Sequence, residues 1–308
     1  MSKVVALLAA VLALAASGCG EDGAEPGASQ EATLVLDFTP NAVHAGIYAA
    51  LERGWLEQEG VEIEVREPGD STDAPKLLEA GRTEFAVLDI NDLGIARDRG
   101  LDLVPVAALV QVPLAAVIAG DRDEIQRPRD LEGRTVGVTG LPSDRRALDA
   151  VLEADGGNPA AVETVTIGFD SVAALAAGRV DAATAFWNAE GVALRELGVP
   201  TREFRLGSHA DPYPELVVVT TRRLKEADEP LVESLQAGIE RGYELASDDP
   251  EAALDNLLTA IPGLERPIQE AQMNALSEAD AFSAGVDPGR IVPERIANWR
   301  RFRSGRSG

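Results

Sequence analysis

The chain reads as an α/β protein of two lobes, each a sheet flanked by helices, joined by two strands that leave a ligand cleft between the lobes. Three observations predict this. A helix-to-strand passage occurs twice about a hundred residues apart, as LLEAGRTEFAVLD at 77–89 and AALAAGRVDAATAF at 173–186. A strand-to-helix turn occurs twice as well, as LVLDFTPN at 34–41 and VGVTGLPSD at 136–144. Two continuous apolar runs of strand length, VPLAAVIAG at 112–120 and PELVVVTT at 214–221, fall after the first unit and after the second.

The elements follow in chain order. Lys3 precedes an uncharged apolar run at 4–16, too short to span a bilayer and of the form of a secretory signal. Small residues then lead to Cys19, an arrangement similar to the site at which bacterial lipoproteins are cleaved and acylated, although Ala16 stands where leucine is usual. Residues 1–18 are therefore expected to be a lipoprotein signal, with Cys19 the lipidation site. Residues 19–32 are small, acidic and broken by Gly and Pro, and form a flexible tether.

In each helix-to-strand passage Ala-Gly-Arg stands at the helix C-terminus, Gly for the left-handed cap and Arg against the dipole. In each strand-to-helix turn a proline is followed by a residue fit to cap a helix, Asn41 in one and Ser143 or Asp144 in the other. The two apolar runs suit strands that cross between lobes, and both sheets are expected to be parallel. Residues 222–307 read as helices packing back on the first lobe, with the Arg-rich segment 295–306 as a helix end and a frayed terminus. The expected division is 33–112 with 221–308 as lobe one, and 113–220 as lobe two.

The composition excludes several function classes. Twenty-eight basic residues against 52 acidic ones give a formal charge of −24, without the basic stripe that phosphate binding needs, so nucleic acid is not an expected partner. Cys19 is the sole cysteine, which removes an intramolecular disulfide, a thiolate metal cluster and a catalytic thiol. The two histidines, His44 and His209, have no carboxylate at a metal-site spacing, and neither a metal nor a cofactor is expected.

Candidate ligand contacts gather at strand ends, where α/β proteins bind small molecules. Phe38, Asn41, His44 and Tyr48 follow the first strand and form one expected wall. AFWNAEG at 185–191 supplies Trp187, Asn188 and Glu190 for the wall opposite, with Tyr213 beyond it. An aromatic ring beside an amide and a carboxylate suits a flat, nitrogen-rich heterocycle, because the ring stacks and the carboxylate accepts from ring and exocyclic N–H groups. Glu190 otherwise serves the dipole of a helix N-terminus, and Trp187 otherwise fills core. Asp89 and Ser143 either touch the ligand or cap the helices that follow them, and the same choice applies to Asn91, Asp92 and Asp144.

The segment LDFTPNAVHAGIYAALERGWLEQEGVEIEV at 36–65, with GLPSD, FWNAEG and DPYPELVVVT further on, resembles the NMT1/THI5-like substrate-binding proteins of ABC importers, over about residues 33–299. The resemblance implies a type II periplasmic-binding-protein fold and capture of hydroxymethylpyrimidine or formylaminopyrimidine for an ABC permease. A monomer is expected, held through Cys19 by a lipid anchor at the outer face of the bacterial cell membrane. Within this resemblance Glu190 and Asn188 match positions that address the pyrimidine, with Trp187 and Tyr213 as ring partners, and Phe38 stands where many relatives have Trp. Riboflavin, another small heterocycle or a sulfonate is the alternative cargo. The same group contains pyrimidine synthases with a cysteine-rich iron motif and a cofactor lysine. This chain retains their histidine as His44, lacks the cysteines and has Asp89 at the lysine position, so a non-enzymatic role is expected.

Overall fold

The computed structural model describes residues 29–69 and 73–304. The expected signal, Cys19 and most of the expected tether lie outside the described residues. Among the described residues ten strands form two five-stranded sheets: β1 (Gln30–Val35), β2 (Val61–Arg66), β3 (Phe85–Asp89), β4 (Leu103–Ala108), β5 (Ala115–Gly120), β6 (Thr135–Val138), β7 (Glu163–Thr166), β8 (Ala182–Phe186), β9 (Thr201–Arg205) and β10 (Leu216–Thr221). The orders are β2-β1-β3-β10-β4 and β7-β6-β8-β5-β9, so each sheet is the topological image of the other.

The echoed segments occupy equivalent places. β1 and β6 each lie second in their sheets and pair in parallel with the strand on either side. Gly81 and Gly178, the glycines of the two Ala-Gly-Arg stops, have φ of +63° and +64°, the left-handed conformation that ends each helix. Asn41 caps the short helix Ala42–His44 by accepting the Val43 N–H at 3.1 Å.

Three expectations need correction. The apolar runs do not bridge the lobes: β5 is antiparallel between β8 and β9 in the second sheet, and β10 is antiparallel between β3 and β4 in the first. The sheets are therefore mixed, and the crossings are the segments 109–114 and 206–215. A buried strand is apolar on both faces whichever way it runs, so the sequence pattern carries no direction. The boundary expected at 220/221 accordingly falls at the end of β10, a strand of the first sheet, and the chain returns to lobe one before Leu216.

Each crossing is tied to a strand end in the same way. Ile90, just after β3, donates its N–H to the Glu215 carbonyl at 2.8 Å, and Trp187, just after β8, donates to the Leu114 carbonyl at 3.1 Å. The C-terminal ends of the parallel strands and the two crossings thus converge on one gap, which is where a two-lobed sheet protein places its ligand.

The C-terminal helices cover lobe one. The helix Glu229–Asp248 packs on Ala45–Glu52, with the Tyr243 hydroxyl donating to the Val43 carbonyl at 2.8 Å. The approach is so close that a Cβ at Gly242 would meet the carbonyl oxygen of Gly46. The last helix, Pro293–Arg303, is more than a frayed end. Trp299 donates its indole N–H to Asn91 at 3.0 Å, and Phe302 stacks on Tyr213 with ring centroids 5.3 Å apart. Among the described residues no helix is long and apolar enough to cross a membrane.

Candidate functional site

The gap between the sheets holds a cleft of about 1040 Å³, including its open mouth. The first lobe lines it with Asp37, Phe38, Asn41, Asp89, Asn91 and Asp92, and the second with Ser143, Asp144, Phe169, Phe186, Asn188 and Glu190. The lobes touch across it. Asp92, on the helix Ile90–Asp98, accepts the Ser143 N–H at 3.0 Å and the Ser143 hydroxyl at 2.9 Å, at the start of the helix Pro142–Ala154. Phe38 meets Phe169 edge-on, with centroids 4.7 Å apart and planes at 76°. Phe169 is 37 % exposed and stands at the rim.

Six of the ten expected contacts line this cleft: Phe38, Asn41, Asp89, Ser143, Asn188 and Glu190. Asp89 also caps the next helix, its carboxylate accepting the Asn91 N–H at 2.6 Å. Glu190 opens the helix Glu190–Glu196 and accepts the Phe186 N–H at 3.0 Å, so its carboxylate serves a helix terminus and faces the cleft together.

The other four stand behind the wall. His44 is fully buried; its Nδ1 accepts the Asn41 N–H at 3.2 Å, which leaves the Nε2 hydrogen for Asp37 at 3.0 Å. It orients a lining carboxylate and does not line the cleft itself. Tyr48 is buried in the helix Ala45–Glu52, and burial with the nearby Glu67 carboxylate pushes its phenol up to about 12. Trp187 turns away onto the first crossing, where its indole N–H donates to the Pro113 carbonyl at 3.1 Å and the Arg205 guanidinium lies 4.4 Å from the ring centroid. Tyr213 is fully buried against Phe302. The aromatic lining is instead three phenylalanines, Phe38, Phe169 and Phe186. Phe186 adjoins the nominated tryptophan, and the alternation of side chains along β8 puts one neighbour toward the cleft and the next away from it.

Two properties decide what the cleft can hold. Asn188 is 0 % exposed, lines the cleft, and neither its Oδ1 nor its Nδ2 has a partner. A buried amide left unpaired costs about 1–3 kcal/mol per group, so one acceptor and one donor stand ready for a guest. The second property is charge. Asp37, Asp89, Asp92, Asp144 and Glu190 line the cleft, and among the described residues no Lys, Arg or His does.

Three of them, Asp89, Asp92 and Glu190, are raised, and burial is the first cause of each. Burial and the charge of Asp89 push Asp92 up to about 8. Burial and the neighbouring Glu215 push Asp89 well above the carboxylate range, and burial raises Glu215 as well. Burial also raises Glu190. Glu215, unmarked in the sequence beyond one charge inside an apolar run, accepts the Leu114 N–H at 2.8 Å and so ties the second crossing to the first.

Comparison with known proteins agrees with this architecture. The family described as NMT1/THI5 like matches residues 41–253. A formylaminopyrimidine-binding protein of Halalkalibacterium halodurans is 32 % identical over 280 residues, covering 89 % of this chain and 84 % of that protein. A 4-amino-5-hydroxymethyl-2-methylpyrimidine phosphate synthase of Legionella pneumophila is 24 % identical, covering 77 % of this chain and 76 % of that one. Among solved structures, the alkanesulfonate-binding protein SsuA of Xanthomonas axonopodis pv. citri, bound to MOPS, superposes with a TM-score of 0.69 at 18 % identity, covering 92 % of each chain. At that identity the likeness is one of fold, the two-lobed α/β fold of periplasmic binding proteins.

Proposed function

The chain belongs to the NMT1/THI5-like family, and from that premise we propose that it is the extracytoplasmic solute-binding component of an ABC importer, with an aminopyrimidine of the formylaminopyrimidine or hydroxymethylpyrimidine type as cargo. The observation that carries the reading is the Asn188 amide, fully buried in the cleft wall with both polar atoms unpaired, two residues from the Glu190 carboxylate. An aminopyrimidine edge offers a ring nitrogen that accepts beside an exocyclic amine that donates. The amide matches both, and Glu190 accepts a further N–H. Phe38, Phe169 and Phe186 supply the apolar faces between which a flat ring is held.

The ligand enters between open lobes and is enclosed as Asp92 meets Ser143 and Phe38 meets Phe169. The closed form is then presented to a permease, with the protein kept at the membrane through acylated Cys19. The 32 % identical relative, whose name is a formylaminopyrimidine-binding protein, supports the ligand class. A sulfonate is disfavoured as cargo, since among the described residues no cation lines the cleft to neutralise it. A synthase reading lacks its chemistry here: Cys19 is the sole cysteine, and Asp89 lines the cleft at the position that the resemblance matches to the synthases' lysine.

Isothermal titration of the purified protein with hydroxymethylpyrimidine, formylaminopyrimidine, thiamine and riboflavin tests the reading. One of the two pyrimidines is expected to bind most tightly. Preference for riboflavin would move the assignment to a flavin, and no binding to any of the four would remove it.

A further inference from the structure

We infer that the cleft takes its ligand as a cation, and that the ligand's positive charge is what allows the two lobes to close. The inference deepens the solute-binding reading and rests on it for the identity of the probe. Its geometric basis is the distribution of charge. Three lining carboxyls, Asp37, Asp89 and Asp92, belong to the first lobe, and two, Asp144 and Glu190, belong to the second, facing one another across a single gap.

Their partners are neutral. Asp92 accepts from Ser143; Asp144 from the Thr139 hydroxyl at 2.6 Å, the Gly140 N–H at 3.0 Å and the Thr184 hydroxyl at 3.0 Å; Glu190 from the Phe186 N–H. Asp37 is held by His44, and no Lys or Arg among the described residues lines the cleft to compensate any of the five. Nor does a metal ion account for them, because among the described residues no three such groups are placed to hold one. The unpaired Asn188 amide in the same wall marks the gap independently as built for a guest.

Bringing five carboxyls together in an enclosed space is unfavourable, and repulsion between the two lobes grows as the cleft narrows and water leaves it. A guest carrying positive charge reverses the sign of that interaction. The upward shifts of Asp89, Asp92 and Glu190, each led by burial, show that negative charge in this gap is unfavourable, which a cation would relieve. An aminopyrimidine protonated at a ring nitrogen in solution enters as the pyrimidinium, with its N–H set against a carboxylate. A phosphate ester of the same pyrimidine brings negative charge to the same wall and is excluded.

Two measurements on the full protein test this. In titrations, hydroxymethylpyrimidine is expected to bind about 100-fold or more tightly than its phosphate ester, the penalty expected for like charges set against one another. In small-angle scattering without ligand, Asp37→Asn combined with Asp144→Asn, one neutralised carboxyl from each lobe, is expected to shift the protein toward a smaller radius of gyration than the unsubstituted chain. Comparable binding of the ester and the parent pyrimidine overturns the inference while leaving the solute-binding role intact. If neither probe binds, the pyrimidine assignment fails and scattering decides: a more compact double variant upholds charge-dependent closure, and unchanged dimensions overturn it.

Discussion

The Glu215 carboxylate accepts the backbone N–H of Leu114 at 2.8 Å, so a side chain of the second crossing holds the backbone of the first. Glu215 is fully buried, and the Ala115 N–H lies 3.4 Å from the same oxygen. Removing the carboxylate leaves buried donors without an acceptor, at about 1–3 kcal/mol for each such group. Glu215→Ala is expected to lower stability by about 2–4 kcal/mol in thermal or urea melts. An unaltered melting curve would show that water takes over both donors and that the crossing needs no such tie.

The raised carboxyls set the pH dependence of the ligand-free protein. Asp92 titrates at about 8 in the folded chain against an ordinary value of 3.8, so the folded state binds the extra proton throughout that range. Its contribution is fully present below about 3.8 and is lost as the pH rises through about 8. Asp89 and Glu215 shift the same way, from burial. The melting temperature is expected to fall as the pH is raised from mildly acid to mildly alkaline, and Asp92→Asn, which cannot ionise, is expected to flatten the decline. A melting temperature that rises over that interval would contradict the assignment.

Close helix packing behind the first wall gives a prediction on stability alone. A Cβ at Gly242 would meet the Gly46 carbonyl oxygen, and one at Gly46 would lie 2.7 Å from the Tyr243 ring. Backbone against backbone leaves nothing flexible to yield. Gly242→Ala is expected to cost about 1–3 kcal/mol, the usual penalty of overpacking, despite the better helix propensity of alanine. A stabilised variant would show that the helix Glu229–Asp248 moves away at little cost.

Asn188 separates function from stability. Its amide is buried without partners, so an apolar side chain of the same shape removes a penalty and no interaction. Asn188→Leu is expected to leave the melting temperature unchanged or raise it, while weakening pyrimidine binding by about 10-fold or more, the value of one hydrogen bond to a buried partner. Loss of stability with intact binding would make Asn188 a structural residue.

The residues explain how far the sequence could be read. The paired units were legible because a helix stop needs Gly in a left-handed conformation, and Gly81 and Gly178 show it at equivalent places. The Asn41 cap was legible because its bonds are local. The antiparallel insertion of β5 and β10 was not, since a strand buried on both faces reads alike in either direction. At the cleft, sequence placed Asn188 and Glu190 but mistook Trp187 for a wall in place of Phe186, because at a strand's last residue the facing side depends on the crossing packed beneath it. Phe169, Asp37 and Glu215 have no local motif, and only the meeting of distant segments gives them a role.

Trp187 and Glu190 therefore make opposing predictions from one motif. Trp187 packs its ring beneath Arg205 and gives its indole N–H to Pro113, behind the cleft wall. Trp187→Phe keeps most of the ring and loses that hydrogen bond, so it is expected to cost about 1 kcal/mol of stability and to leave ligand affinity within about twofold. Glu190 faces the cleft with its burial already raising the carboxyl, so a ligand N–H or a ligand charge gains from it directly. Glu190→Gln exchanges a charged acceptor for a neutral amide and is expected to weaken binding by about 10-fold or more, with the bond from Phe186 N–H still made and little change in melting temperature. If affinity instead follows Trp187 and ignores Glu190, the ring would reach the ligand through a rearranged first crossing, and Glu190 would be a helix-terminal carboxylate alone.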